Sequence, residues 1–268
     1  MPSSDSAFAG SIPELYDRHL GRLLFLPFAE EVAARVSRWR PEHILETASG
    51  TGIVTEAIHR AAPTARVVAT DLNQAMLDVA ARRIVSDRIC FQLADAQHLP
   101  FPDESFDLVV CQFGVMFFPD KVKANSEARR VLVNGGRYLL VIWDRLDRNN
   151  ASQIASDAVG ALFPDNPPEF LPRTPFGYAD RGRIEDDLRS AGFSRIEFET
   201  VERMSLPSDP ESAATGLVRG SPLSADILQR DPKGLDRATR AAAEALQSLS
   251  SEGGFDSRLS AHFVTATK

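Results

Sequence analysis

The chain has 268 residues, 43% of them hydrophobic, and a formal net charge of −7, enough to bury a full core in one domain with insertions. A pI near 5.3 removes any general electrostatic reason to bind nucleic acid or an anionic membrane surface, leaving a small molecule as the expected partner. No apolar signal core opens the sequence and no run approaches the roughly 20 apolar residues of a membrane span, so a cytoplasmic protein is expected.

Residues 1–11 are small and polar and are expected to lack order. From Pro13 onward Leu15, Tyr16, His19, Leu20, Leu23 and Leu24 fall on one side of a helix interrupted near Gly21. After Pro27, Phe28, Val32, Val36 and Trp39 recur at close to helical period in an amphipathic helix that Pro41 stops. Residues 43–58 then read as strand, tight loop, helix. Apolar residues lead to a carboxylate at Glu46, small residues bracket Gly50 and Gly52, and Ile53, Val54, Ala57 and Ile58 return to helical spacing. A second strand, residues 66–70, ends at Asp71. Asn73 is the expected cap of a helix carrying Met76, Leu77, Val79 and Ala80. A third strand, Ile89–Leu93, ends in Ala94-Asp95-Ala96-Gln97, and after a Pro-rich connection residues 106–111 read as a buried strand of a parallel sheet. Cys90 and Cys111 sit in these apolar runs without metal-ligand spacing and are expected to be buried thiols that hold no metal.

A helix over residues 120–133 is expected to stop at Asn134-Gly135-Gly136, and a fifth strand, residues 137–143, ends in Asp144. Pro164, Pro167, Pro168, Pro172 and Pro175 break regular structure and leave Ile154, Ala158 and Leu162 for one short helix. A helix over residues 180–190 is ended by Gly192, residues 193–206 form a long alternating strand, and residues 259–267 read as the last. About fifty residues separate those two strands, too many for a bare loop. Helical patterns at residues 210–218 and 233–249 mark them as an insertion, whose position implies a cap above the substrate mouth.

Gly50 and Gly52 lack the side chain that would keep a ligand off the backbone, so main-chain N–H groups at a helix start can approach a bound molecule closely. In a parallel βαβ unit the second strand ends beside the first, which lets Asp71 reach the hydroxyls of a ribose seated on the glycine loop. An acidic residue about 20 positions past the glycines is also what dinucleotide sites show. A diphosphate loop follows G-x-G-x-x-G; here Thr55 stands at the third glycine position, and Glu46 would repel a diphosphate. Both features suit a ligand free of phosphate and cationic at one end, held by a carboxylate directly or through water. S-adenosylmethionine is such a ligand.

Residues 45–52, Leu-Glu-Thr-Ala-Ser-Gly-Thr-Gly, resemble the first motif of the class I S-adenosylmethionine-dependent methyltransferases, and residues 69–77, Ala-Thr-Asp-Leu-Asn-Gln-Ala-Met-Leu, resemble the second. Residues 93–118, with Leu-Ala-Asp-Ala-Gln-His-Leu-Pro-Phe and Pro-Asp-Glu-Ser-Phe-Asp-Leu-Val-Val, are similar to the remainder in the branch containing the ubiquinone- and menaquinone-biosynthesis methyltransferases. Ala48 departs from the pattern, since many members have glycine there. The resemblance implies a Rossmann-like α/β fold: a doubly wound seven-stranded sheet, mostly parallel with an antiparallel last strand, plus helical cap insertions. It also implies a cofactor site made of Glu46, Thr47, Ala48, Ser49, Gly50, Thr51, Gly52, Asp71, Leu72, Met76, Ala94, Asp95, Ala96, Gln97, Gln112 and Phe113. Leu72 and Met76 would pack on the adenine, the Asp95 carboxylate would accept from its exocyclic amine, and a neighbouring backbone N–H would donate to a ring nitrogen. Gln112 either positions the ligand or satisfies local backbone. The N-terminal helices either cover the cofactor, with Tyr16 or His19 near it, or simply pack on the sheet.

One domain over residues 1–268 is expected, with N-terminal helices to 40, a cofactor-binding half at 41–145, cap segments at 146–179 and 207–257, and the rest of the sheet at 180–206 and 258–268. The expected reaction is in-line transfer of a methyl group to a small, partly hydrophobic molecule, driven by alignment in a dry site. His19, Asp144 and Tyr178 lie on segments that could supply a base, yet each reads first as structural, and none is assigned. An S-adenosylmethionine-binding protein without transferase activity and an NAD-dependent oxidoreductase are the alternatives. Oligomeric state is not legible.

Overall fold

A computed structural model describes residues 10, 12–251 and 254–268, so the expected disorder of residues 1–11 falls outside the described residues except at Gly10. In chain order the elements are α1 (Ile12–Leu15), a π-helix (Tyr16–Phe25), α2 (Leu26–Trp39), β1 (His43–Thr47), α3 (Ile53–Ala61), β2 (Arg66–Asp71), α4 (Gln74–Arg83), β3 (Ile89–Leu93), β4 (Phe106–Gln112), α5 (Lys121–Val131) and β5 (Leu132–Trp143). Then come α6 (Asn150–Gly160), α7 (Phe170–Arg173), α8 (Arg181–Ser190), β6 (Arg195–Met204), α9 (Pro210–Arg219), α10 (Leu223–Arg230), α11 (Leu235–Leu246), the short pair β7 (Ser250–Ser251) and β8 (Gly254–Phe255), and β9 (Arg258–Thr267). They form two compact units, one of residues 1–27, 144–177 and 202–260, the other of residues 28–143, 178–201 and 261–268.

The second unit holds the sheet apart from residues 202–204 of β6 and 258–260 of β9. Its seven strands run in the order β3-β2-β1-β4-β5-β9-β6, with β1 to β5 mutually parallel and β9 antiparallel to β5, the α/β architecture expected from the sequence. Ile44, Leu45, Val109 and Val110 are fully buried, as the apolar runs of central strands require. The stripe on α2 buries Phe28, Val32 and Val36 completely, while Trp39 closes the helix and Pro41 follows it.

Two expectations are corrected here. Cys111 is buried but Cys90 is exposed, because β3 is the edge of the sheet and residues 94–105 supply no helix to cover it. The Asn134-Gly135-Gly136 triplet does not separate helix from strand. α5 ends at Val131 and β5 starts at Leu132 and runs through the triplet. Gly135 takes a left-handed φ of +79°, and the register on β4 jumps from Phe106↔Leu132 to Leu108↔Arg137, so the glycines form a bulge inside a strand.

The first unit is helical: α11 packs on α9 and α6, and α9 packs on the π-helix. Gly21 does not interrupt that helix, which runs unbroken from Tyr16 to Phe25. α10 and the β7–β8 pair were not anticipated. A Cβ at Gly216 would lie 2.6 Å from Leu20 Cδ2 and 2.9 Å from His19 Cβ; absence of a side chain there sets how closely α9 approaches the π-helix. Gly216→Ala is expected to lower stability by about 1–2 kcal/mol, overpacking outweighing alanine's better helix propensity, which a urea melt would read. Among the described residues no helix is long and apolar enough to cross a membrane, and no cluster of His, Cys, Asp or Glu could hold a metal.

Candidate cofactor site

The register brings the carboxyl-terminal ends of three strands level, Thr47 opposite Thr70 and Asp71 opposite Leu93, the place where open α/β sheets bind ligands. Glu46, the next-to-last residue of β1, is only 2% exposed. Its Oε2 accepts from Thr55 Oγ1 at 2.7 Å, so the residue at the third glycine position has a task of its own. Burial pushes the Glu46 carboxyl up to about 8, against the Thr55 bond and with added repulsion from Asp71.

The loop after β1 is built on left-handed backbone at Ala48 (φ +53°), Gly50 (+56°) and Gly52 (+81°). The two glycines serve different ends. A Cβ at Gly52 would meet Ala80 Cβ at 2.9 Å and Ile84 Cδ1 at 3.0 Å, so this glycine lets the start of α3 sit against α4. Among the described residues a Cβ at Gly50 would meet nothing within 4 Å; its freedom serves the left-handed turn. Among the described residues Ser49 Oγ is buried there with no hydrogen-bond partner, an unsatisfied polar atom of the kind a ligand can complete.

Asp71, 7% exposed, closes the loop from the other side. Its Oδ2 accepts the Gly50 N–H at 2.9 Å and its Oδ1 the Asn73 N–H at 2.8 Å. Burial raises its pKa while these bonds hold it down. Asn73 precedes α4 but makes no side-chain cap; its amide turns to Asp71 Oδ1 at 3.3 Å instead. The carboxylate has about four lone-pair sites, so it retains acceptor capacity for hydroxyl donors. Leu72 is 45% exposed beside it, whereas Met76 is buried at 3%. The β3 tip is tied to β2 by Ala94 N–H donating to Asp71 O at 3.0 Å. Asp95 Oδ1 then accepts from Gln97 N at 2.8 Å and from Gln97 Nε2 at 3.1 Å, and Gln97 Oε1 accepts from Asp120 N; Ala96 lies within this turn.

At the β4 tip Gln112 is buried, and Phe113 has a left-handed φ of +55°. Its N–H donates to Val141 O at 2.8 Å, and its ring stacks on Trp143 with centroids 3.7 Å apart. Phe28 meets both rings edge-on at 5.4 and 5.5 Å. Burial pushes the Cys111 thiol up to about 11, leaving it inert at neutral pH. Trp143, Phe28 and Gly114 were not placed at the site from sequence, each being one apolar or small residue in a run that core packing already explains; Thr55 was read only as standing where a third glycine would be, and its bond to Glu46 was not foreseen.

Ala48 stands where glycine would fit the φ without strain, and its methyl lies 2.4 Å from where a Cβ on Gly114 would be. Each residue is therefore confined by the other. Gly114→Ala alone is expected to cost about 1–3 kcal/mol by overpacking, and adding Ala48→Gly should return most of it. A double-mutant cycle on thermal unfolding checks this; additive losses would contradict the contact.

The three possible bases each have a structural partner. His19 Nδ1 lies 2.8 Å from Ser212 Oγ, and burial lowers its pKa. Asp144 Oδ2 accepts from Ser260 Oγ at 2.8 Å, and Tyr178 donates to Asp187 Oδ2 at 2.7 Å.

The profile of a family described as a methyltransferase domain matches residues 45–140. A demethylmenaquinone methyltransferase of Clavibacter sepedonicus is 31% identical over 212 residues, covering 73% of this chain and 84% of the relative. A ubiquinone/menaquinone biosynthesis C-methyltransferase UbiE of Cupriavidus pinatubonensis is 38% identical over 117 residues, 41% of this chain, so the match spans about half (48%) of that relative. Among solved structures, YcgJ protein of Bacillus subtilis superposes with a TM-score of 0.57 at 19% identity, covering 89% of this chain and 98% of its own. Haemonchus contortus phosphoethanolamine N-methyltransferase 2, in complex with S-adenosyl-L-methionine, gives 0.58 at 17% identity, covering 96% of this chain and 56% of its own.

Proposed function

Because the chain belongs to the class I S-adenosylmethionine-dependent methyltransferases, in the UbiE-like branch, we propose that it transfers a methyl group from S-adenosylmethionine to a small, partly hydrophobic molecule. The observation that carries the reading is the Asp71 carboxylate, buried between the Gly50 and Asn73 N–H groups at the strand tips. It is oriented before any ligand arrives, so little ordering remains to oppose ribose binding. In this reading Asp71 takes the ribose hydroxyls, Glu46 the ammonium, and the loop from Thr47 to Gly52 lies along the ligand with Ser49 Oγ facing it. Leu72, Ala94, Asp95, Ala96 and Gln97 hold the adenine, with Met76 supporting from the core, and Gln112 and Phe113 border the sulfur. The bound cofactor supplies a methyl on a sulfonium, which in-line displacement moves.

The chain's own contribution is alignment and exclusion of water. The packed rings of Phe28, Phe113 and Trp143 keep the β4 and β5 tips apolar. With His19, Asp144 and Tyr178 each engaged elsewhere, the acceptor is one acidic enough to arrive deprotonated, a phenol or enol rather than an unactivated alcohol. The names of the relatives, which include demethylmenaquinone methyltransferase, support a reduced quinone-type ring. The reading includes a cytoplasmic setting, a single functional domain and acceptor selection by residues 146–179 and 207–257.

The test is incubation with methyl-labelled S-adenosylmethionine and a cell extract: label on a small-molecule product is expected, and cofactor binding without labelled product would make the chain a binding protein. A thermal shift with NAD but none with S-adenosylmethionine would overturn both readings.

A further inference from the structure

At the amino-terminal ends of β1 and β4, away from the strand tips just described, Trp39, Arg40, Pro41, Asp107, Asn134 and Arg137 line a cavity of about 180 Å³. Its charges are unbalanced. The Asp107 carboxylate is committed to the backbone, accepting from Glu42 N at 2.8 Å and His43 N at 3.2 Å, and so pins the start of β1 to β4. Arg137 lies over the Trp39 ring, 5.2 Å from its centroid. Among the described residues neither Arg40 nor Arg137 has a carboxylate within ion-pair distance, on a chain whose net charge is −7.

Arg40 is held in an unusual way. Its φ is +52°, and its N–H closes α2 on Val36 O at 2.9 Å, the left-handed cap position that glycine usually takes. Glycine there would be unstrained, and Pro41 already ends the helix. What arginine adds is a guanidinium at the rim of the cavity.

We propose that this cavity binds a small anionic molecule through a phosphate or carboxylate group, held by the guanidiniums of Arg40 and Arg137 with the Trp39 indole as its apolar wall. Guanidinium forks match both groups in geometry, and a guanidinium stacked on an aromatic ring is already pre-organised and weakly hydrated. β1 is five residues long, so this cavity and the Asp71 end of the sheet are separated by roughly 15 Å at about 3.3 Å per residue. Its occupant is a second ligand, not the methyl acceptor, and the site stands whether or not the cofactor assignment does.

The chain has two tryptophans, so its two indole N–H resonances, assigned with Trp39→Phe, report on the two ends of the sheet. Titration of the full chain with inorganic phosphate, and in a second arm with benzoate, is expected to shift the Trp39 signal saturably while that of Trp143 stays, the responding arm identifying the charged group. Arg137→Gln should weaken the response at least tenfold. Arg40→Gly should raise Tm by removing the strained cap and yet abolish the shift, a combination that a purely structural arginine would not produce. The proposal is overturned if neither anion moves the Trp39 signal, or if Arg40→Gly titrates like the unaltered chain.

Discussion

Replacing Asp71 with alanine is expected to weaken S-adenosylmethionine binding by roughly ten- to a hundredfold, the loss of charge-assisted hydrogen bonds worth about 1.5–3 kcal/mol. The residue acts twice. It would meet the ribose, and it already holds the Gly50 and Asn73 N–H groups, so alanine also leaves two donors at the strand tips without their acceptor. Asp71→Asn separates these parts, since an amide oxygen can keep one of the backbone donors while the charge is gone. Calorimetric titration beside a thermal melt distinguishes lost contact from lost structure. An unchanged dissociation constant in Asp71→Ala would end the ribose assignment.

Binding should also release a proton, with affinity rising by close to tenfold per pH unit up to about pH 8. Glu46 carries this expectation: burial pushes its carboxyl from 4.5 up to about 8, so the folded chain holds a proton that the unfolded chain has lost. Its stabilising effect is fully present below pH 4.5, and it declines as the pH climbs through about 8. Asp71, also raised by burial, adds in the same sense. An ammonium placed beside Glu46 reverses the preference, because it favours the carboxylate and the proton leaves on binding. Titrations in two buffers of different ionisation enthalpy would measure that proton. Glu46→Gln keeps the size and a partner for Thr55 but cannot ionise; it should abolish the proton release and lessen the fall in stability between pH 4.5 and about 8, leaving only the share due to Asp71. A Glu46→Gln chain that still releases a proton would place the titrating group elsewhere.

The parts legible in the sequence were those whose signal is local. The glycine loop, the acidic residue ending β2 and the apolar strands follow from periodicity and turn chemistry, and the sheet order places them together. What sequence hid depends on contacts across the fold. Gly50 and Gly52 look alike in a motif, yet only Gly52 packs against Ala80 and Ile84. Thr55 reads as a missing glycine, while its hydroxyl supports Glu46. Asn73 has the composition of a cap, but the neighbouring Asp71 is the stronger acceptor and takes its N–H groups. Asn134-Gly135-Gly136 carries the same turn signal for a bulge as for a helix stop, and only pairing with β4 decides between them. Cys90 sits in an apolar run, but burial of a strand depends on what covers it, and β3 is an edge.

The most direct measurement is a crystal structure with S-adenosylhomocysteine. The ribose hydroxyls should rest on Asp71, the amino group should face Glu46, and the adenine should lie between Leu72 and the Asp95 turn. An adenosyl group bound anywhere else, or tips of β1, β2 and β3 covered by the chain's own side chains, would contradict the assignment.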